Sequence, residues 1–489
     1  GNHKVRVESL SDGRRYAQLG ELLLPGEVIL NKDETYTSPN LYVSFSNKGF
    51  SNLSNQFHHF VRQTLIDKKV KQKPRPVHYN TWEGIYFDHD ENTLMELATK
   101  AAVVGAERFV LDDGWFIGRR NDKAGLGDWF VDKEIYPNGL TPLISKVNEL
   151  GMEFGIWFEP EMVNPDSNLY RTHPDWVLGS KDNPHLNFRN QLVLDLTQSE
   201  VSDYLFKCID DILNEHPQIA YIKWDMNRDL NHAGGFDGKP VVHKQTLALY
   251  DLIAKVKNHH PSVEIESCCS GGGRVDYGIL KHTDRVWTSD SNDALDRLAI
   301  QRGCSFFIPS EIMGAHVGPL DCHITGRRVS MDMRAAVAMF GHMGIEMDPR
   351  LLTEDEETSL KAGLALYKKH RGLIHSGELI RLEGGRESKQ TAINFAIVND
   401  DKTHVLYIFN QIEESRHYLP TQFKFTGLNP ELNYRLDMVW PVELKEYSKS
   451  VISQSNGQVF SGELLMELGM QLPVVDPQTS LVFELTAVN

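Results

Sequence analysis

Cysteine is scarce in this chain: five occur among 489 residues, at positions 208, 268, 269, 304 and 322. The number is odd, and no Cys-x-x-Cys or Cys/His ligand spacing is present. A disulfide-stapled scaffold and a local zinc module are thereby excluded, and free thiols in a reducing compartment are the simplest reading. Positive charge is also in deficit, with 51 Lys and Arg against 67 Asp and Glu, a formal net charge of −16. That balance repels phosphate backbones and anionic bilayer surfaces, so neutral small molecules fit better as partners than nucleic acid or membranes. No apolar run approaches the roughly 18 residues that span a bilayer. The first residues lack the charged, apolar and small-residue zones of a signal peptide, which gives the expectation of a cytoplasmic chain. The chain opens on Gly1 and not on methionine, so a segment upstream of it is expected.

At this length two or three domains are expected. Runs such as 21–30 and 41–46, punctuated by Pro25, Gly26 and Pro39, read as strands, followed by a helical stretch over 57–65. Residues 1–76 are therefore taken as the tail of an N-terminal β-domain, closed by the basic linker 68–76 (KKVKQKPRP). From Val77 short apolar runs alternate with helical periodicity, the signature of repeated β-α units. Eight strands are expected, over 77–87, 108–116, 153–162, 192–196, 219–225, 263–268, 285–290 and 312–317. Eight such units favour a closed (β/α)8 TIM barrel, here assigned to 77–375. The stripe Val201, Tyr204, Leu205, Cys208, Ile209, Ile212, behind a Thr197/Glu200 capping box, predicts a helix packed on that barrel. Leu94, Leu97, Ala98 and Ala101 repeat the pattern, as do Leu249, Leu252, Ile253 and Val256. After about residue 375 the helical period gives way to alternating runs, including 404–409, 434–440 and 481–485, and 376–489 reads as a C-terminal antiparallel β-sandwich.

Active sites of such barrels lie at the C-terminal ends of the strands. The expected ends deliver Trp82; Asp112 and Asp113; Trp157, Glu159 and Glu161; Asp195; Lys223, Asp225 and Asn227; Glu266 and Cys268; and Asp290. Any one such acid is as often the cap of the next helix. At Asp225 that explanation weakens, because a loop through Gly235 and Gly238 separates it from the next helical stripe. A mouth rich in carboxylates and tryptophan suits a neutral sugar, since indole faces stack on a pyranose and paired carboxylates cleave a glycosidic bond. The glycine run 271–273 follows the sixth strand and lacks the Lys-Ser/Thr ending of a phosphate loop. Position alone leaves Asp112, Asp113, Glu159, Asp195, Asp225, Glu266 and Asp290 all open as the working pair.

Six stretches narrow that choice: Asn80-Thr-Trp-Glu-Gly, Leu111-Asp-Asp-Gly-Trp-Phe, Trp157-Phe-Glu-Pro-Glu-Met, Lys223-Trp-Asp-Met-Asn-Arg, Glu266-Ser-Cys-Cys-Ser-Gly-Gly-Gly-Arg and Trp287-Thr-Ser-Asp. In this order they resemble glycoside hydrolase family 36, the microbial α-galactosidases, over essentially the full chain. The resemblance implies a retaining α-galactosidase acting on galactosides such as melibiose and raffinose-type oligosaccharides, with Asp225 as nucleophile and Asp290 as acid/base. It further implies that Asp112 and Asp113 bind the O4 and O6 hydroxyls of galactose and that Trp82 and Trp157 line the subsite. Arg189 and Lys223 would contact ring hydroxyls, Asn227 would join the substrate-binding set, and Cys268 and Gly271 would bound the space around O2. Neither a metal nor a cofactor is called for. Retention asks that the two carboxyl groups lie roughly 5 to 5.5 Å apart and that Asp290 be protonated when it acts.

Two departures from the family pattern stand out. The N-terminal β-domain of the family is longer than the 65 residues that precede the linker here, and the homo-oligomers implied by the resemblance depend on that domain. Cys268 is followed by a second cysteine where one cysteine and a small residue are usual, and disulfide geometry favours two free thiols. The alternatives carried forward are an α-N-acetylgalactosaminidase or galactosyl-transferring relative, and a catalytically silent galactoside-binding subunit. Cys268 beside O2 argues against the first, and the presence of both Asp225 and Asp290 against the second.

Overall fold

The computed structural model describes residues 3–67, 70, 73–179, 186–231, 233–235, 237–382, 392–415, 420, 422–444 and 450–488. Strands β1 (His3–Ser9) and β2 (Arg15–Glu21) pair as an antiparallel hairpin. The strands expected over 21–30 and 41–46 do not form beyond the end of β2. Backbone N–H and C=O groups need a ladder partner to hold an extended segment, and among the described residues none pairs there. The helix expected over 57–65 is present as Gly49–Phe60, continued by the wider turn Val61–Leu65. Residues 68, 69, 71 and 72 of the basic stretch lie outside the described residues.

Eight strands then close into a barrel: β3 (His78–Asn80), β4 (Arg108–Leu111), β5 (Glu153–Phe158), β8 (Ile219–Trp224), β9 (Glu264–Ser267), β10 (Arg285–Trp287), β11 (Met313–Val317) and β12 (His342–Ile345), in chain order round the ring. One of these is unexpected, and one expected strand is absent from the ring. The run 192–196 is not a barrel strand: β7 (Leu192–Val193) pairs antiparallel with β6 (Met162–Val163), in an excursion between β5 and β8. The place is taken by β12, whose His-Met-Gly-Ile sequence lacks a strand-like apolar run yet is wholly buried. Its glycine answers a close approach, because a Cβ on Gly344 would come 2.4 Å from the His316 ring. At Gly155 on β5 a Cβ would stand 3.0 Å from the Tyr221 ring of β8, its ladder partner.

By packing, the chain divides into two compact units, Gly1–Ser44 with Ile85–Ala98 and Val110–Trp287, and Phe45–Gly84 with Thr99–Phe109 and Thr288–Asn489. In the first unit the helix Ser199–Glu215 buries Val201, Leu205, Cys208, Ile209 and Ile212, as its stripe requires. Each large apolar side chain removed from water there contributes about 1.5–3 kcal/mol. Its expected Thr197/Glu200 capping box is not made: the cap position is Gln198, and the Thr197 hydroxyl is spent on Asp195 Oδ1 at 2.5 Å. The helix Val242–His259 buries Leu249, Leu252, Ile253 and Val256.

In the second unit the helix Glu354–Ser376, started by a Thr353/Glu356 capping box, leads into the C-terminal sheet. That sheet contains β13 (Glu378–Leu382), β14 (Ala392–Val398), β15 (His404–Gln411), β20 (Thr479–Val488), β17 (Asn433–Trp440) and β18 (Gln458–Ser461), in this spatial order and antiparallel throughout. β16 (Gln422–Phe423) and β19 (Met470–Gln471) form a smaller pair. Tyr407, Phe423, Phe425 and Phe483 meet in the shared core, mostly edge to face. No helix among the described residues is long and apolar enough to cross a membrane.

Candidate active site

In the first unit the ends of β4, β5, β8 and β9 assemble a buried polar network. Asp112 follows β4 and accepts Lys223 Nζ of β8 at 2.7 Å, both side chains being almost wholly buried. Asp113 is gripped by Arg119, whose Nε and Nη2 donate to its two oxygens at 2.9 and 2.7 Å. Burial still lifts the Asp113 carboxyl above its usual range, the Arg119 guanidinium offsetting only part of that. Arg119 is itself fixed by Asn164 Oδ1 at 3.0 Å. A fork-to-fork pair of this kind sets the plane of the carboxylate as well as its charge.

Asp225 follows β8 directly, and its N–H donates to Phe158 O at 2.8 Å. Three donors converge on its carboxylate: Met226 N on Oδ1 at 2.8 Å, Asn227 Nδ2 on Oδ2 at 2.7 Å and Trp157 Nε1 on Oδ2 at 3.2 Å. Asn227 Oδ1 in turn accepts from Arg189 Nη1 at 3.1 Å and from Ser270 Oγ at 3.3 Å. Arg189 and Asn190 both adopt positive φ, 51° and 58°, an unusual pair that turns the exposed arginine toward Asn227. Cys268 is buried, its N–H on Trp224 O at 2.8 Å, and Gly271 sits at φ 81° in the loop that follows. Cys268 and Cys269 are both free thiols, as expected.

The carboxylates at the other strand ends divide by role. Glu161 takes Arg274 Nη1 at 2.7 Å and Trp224 Nε1 at 3.1 Å, and Glu266 takes Tyr221 Oη at 2.7 Å together with Arg285. Both are spent on structural partners. Asp195, no longer at the end of a barrel strand, accepts Thr197 N at 3.1 Å and caps its own turn. Glu159 differs from all of these. It is fully buried, Oε1 takes Asn227 N at 2.5 Å, and Oε2 lies 3.1 Å from Gln191 Nε2. Burial, with the Asp225 charge behind it, pushes its carboxyl up to about 8. Gln191 Oε1 is buried with no partner, so turning that amide over gives a protonated Glu159 an acceptor.

A raised folded value means that the folded chain keeps this proton where the unfolded chain has released it. The stabilising contribution is complete below about 4.5 and is lost as pH climbs through about 8. Glu159→Gln cannot ionise. Its melting temperature relative to the unsubstituted chain should therefore rise progressively from about pH 4.5 to about pH 8 and level off above that. A scan in which the difference stays constant with pH would show that Glu159 carries no such proton.

Trp82 and Asp290 lie in the second unit. The sequence places Trp82 within the first strand, but β3 ends at Asn80 and Trp82 opens the short helix Trp82–Ile85, its N–H held by Asn80 Oδ1 at 2.8 Å. The Asn80 side chain caps the backbone and so stops the strand. Asp290 is exposed, in contrast to the buried Asp225. The loop behind it is pinned by Arg297 Nη1 on Ser289 O at 3.1 Å and by Asp293, which caps the helix Ala294–Cys304 and pairs with Arg327 at 2.6 Å. Glu83, absent from the expected set, accepts Asn292 Nδ2 at 2.9 Å and stands 3.5 Å from His323 Nδ1. The hydrogen bond to Glu83, helped by the Asp290 charge, lifts the His323 imidazole above its ordinary value.

A (β/α)8 barrel with fixed carboxylates and indoles at its strand ends is an architecture compatible with glycoside hydrolysis. Comparison with known proteins narrows the class. The sequence pattern described as Melibiase matches residues 35–377, and that of the glycosyl hydrolase family 36 C-terminal domain matches 391–485. An α-galactosidase of Escherichia coli is 44% identical over 99% of this chain and 69% of its own length. Probable α-galactosidase G of Aspergillus terreus is 36% identical over 96% of this chain and 63% of its own. The crystal structure of the family 36 α-galactosidase AgaA from Geobacillus stearothermophilus superposes with a TM-score of 0.90 at 34% identity, covering 99% of this chain and 66% of that one. The chain belongs to glycoside hydrolase family 36, and it spans about two thirds of the length of these relatives.

Proposed function

We propose that this protein is a retaining α-galactosidase that releases terminal α-D-galactosyl residues from raffinose-type galactosides. In this reading Asp225 is the nucleophile and Asp290 the acid/base. The observation that carries it is the collar of three donors on Asp225, which fixes the orientation of a buried carboxylate. Oδ1 has one donor and Oδ2 two, so Oδ1 keeps the free lone pair for attack on the anomeric carbon. A neutral Glu159 alongside spares Asp225 a second negative charge. Exposed Asp290 protonates the departing oxygen and afterwards deprotonates the water that releases galactose. Asp112 and Asp113, locked by Lys223 and Arg119, accept hydrogen bonds from the O4 and O6 hydroxyls. Trp82 and Trp157 line the subsite, Arg189, Lys223 and Asn227 contact ring hydroxyls, and Cys268 and Gly271 limit the space at O2. Variants of AgaA have been crystallised with raffinose and stachyose, which supports the same substrate class here. The accompanying domain proposal is 1–76, 77–375 and 376–489.

A chromogenic panel of α-galactoside, α-N-acetylgalactosaminide and β-galactoside tests this, with NMR of the first sugar released. Turnover of the α-galactoside alone, with the α-anomer of galactose appearing first, is expected. Initial β-galactose would mean inversion, and cleavage of the acetamido sugar would remove the role of Cys268.

A further inference from the structure

Away from the strand ends, three donor side chains far apart in sequence come together where the helix Glu354–Ser376 meets the C-terminal sheet, all within the second unit. His370 comes from the helix, His404 opens β15, and Glu484 lies on β20. In the antiparallel ladder Glu484 stands opposite Leu406, so His404, two residues earlier on the strand, projects from the same face. His404 Nε2 is 2.9 Å from Glu484 Oε1, and His370 Nε2 is 3.5 Å from Glu484 Oε2. One donor atom from each residue lies within 4.8 Å of the others.

His370 makes this more than an ion pair. Its side chain is only 2% exposed, and neither ring nitrogen makes a hydrogen bond. A buried imidazole ordinarily donates through one nitrogen and accepts at the other, so two unused nitrogens on a ring beside a carboxylate are costly unless something completes them. The remaining neighbour is Lys369, whose Nζ lies 2.8 Å from Glu484 Oε2. That ammonium is well exposed on a flexible stem and can swing into water.

We propose that His370, His404 and Glu484 bind a divalent transition-metal ion of the zinc type. Two imidazoles and one carboxylate suit such an ion, and water fills the remaining position on the open side next to His404. Metal–donor bonds of about 2.0–2.2 Å put tetrahedral donors about 3.3–3.6 Å apart, a spacing that small ring rotations reach from the present positions. The C-terminal end of a barrel helix lies at the face opposite the strand ends that carry chemistry. The ion therefore acts as a clip between the last barrel helix and strands β15 and β20, and its effect is on stability.

The test uses the full chain, stripped with a chelator and then titrated with zinc chloride by calorimetry, with Co2+ absorption as a second readout. One equivalent is expected to bind, raising the melting temperature. His404→Ala and Glu484→Gln, chosen because these positions are less buried than His370, should each weaken binding by at least about tenfold and abolish the Co2+ visible bands. Lys369→Met should tighten binding by freeing Glu484, while His259→Ala, at an exposed helix end, should bind as the parent does. Zinc isotherms of His404→Ala and Glu484→Gln that superimpose on the parent's, or no binding by the parent, would overturn the proposal.

Discussion

Replacing Asp225 by alanine is expected to lower kcat on an α-galactoside by about four orders of magnitude or more, the scale seen when a covalent nucleophile is removed. The fold should survive. The substitution leaves the Trp157, Asn227 and Met226 donors without an acceptor, at about 1–3 kcal/mol for each that water cannot reach, but it also removes the negative charge that helps hold Glu159 protonated. The chemistry then offers a sharper readout than lost rate. Azide entering the vacated space attacks the anomeric carbon from the side the carboxylate occupied, so an activated aryl α-galactoside should yield the β-galactosyl azide. Residual activity within tenfold of the parent would remove the assignment.

Asp290→Ala should separate substrates by leaving group. Raffinose, whose departing oxygen needs a proton, should lose about 10²–10⁴-fold in kcat/KM. An aryl galactoside with an acidic phenol should keep most of its first step and stall at hydrolysis of the glycosyl-enzyme. Azide then relieves that stall by attacking the covalent intermediate and gives the α-galactosyl azide, the opposite anomer from that of the Asp225 variant. Because Asp290 is exposed, stability should change by no more than about 0.5 kcal/mol. An equal loss on both substrates, or the β-azide, would show that Asp290 is not the acid/base.

How much of this was legible in the sequence depends on how local each feature is. The acids and indoles at the ends of β4, β5, β8 and β10 could be read because a strand end is marked by its own apolar run. β12 could not, since a histidine and a glycine occupy half of its buried residues, and the reason for the glycine, the His316 ring, lies on another strand. The run 192–196 misled for the converse reason: it is apolar enough for a barrel strand, but its first residues are claimed by β6. Thr197 offered a capping signal and used its hydroxyl on Asp195 instead. Among site residues, Arg119 and Gln191 carry no motif of their own. Gln191 reaches Glu159 across 32 residues, a relation that only folding creates. The choice of Asp225 and Asp290 from seven acids came from family resemblance, and the donor collar now supplies a physical reason for the first of them.

The excursion that β6 opens and β7 closes also bears on how such an enzyme can diversify. Arg189 is delivered to Asn227 from this segment and not from the ring of strands, by a left-handed turn at Arg189 and Asn190. Its length and composition can therefore drift without disturbing a single barrel ladder. Selection for a new aglycone can act here at little cost to folding, while Asp112, Asp113 and Asp225, rooted in β4 and β8, stay under the constraint of the whole barrel. Substitutions confined to 186–188, which leave Arg189 and Gln191 in place, are accordingly where to begin when testing whether this segment sets acceptor preference.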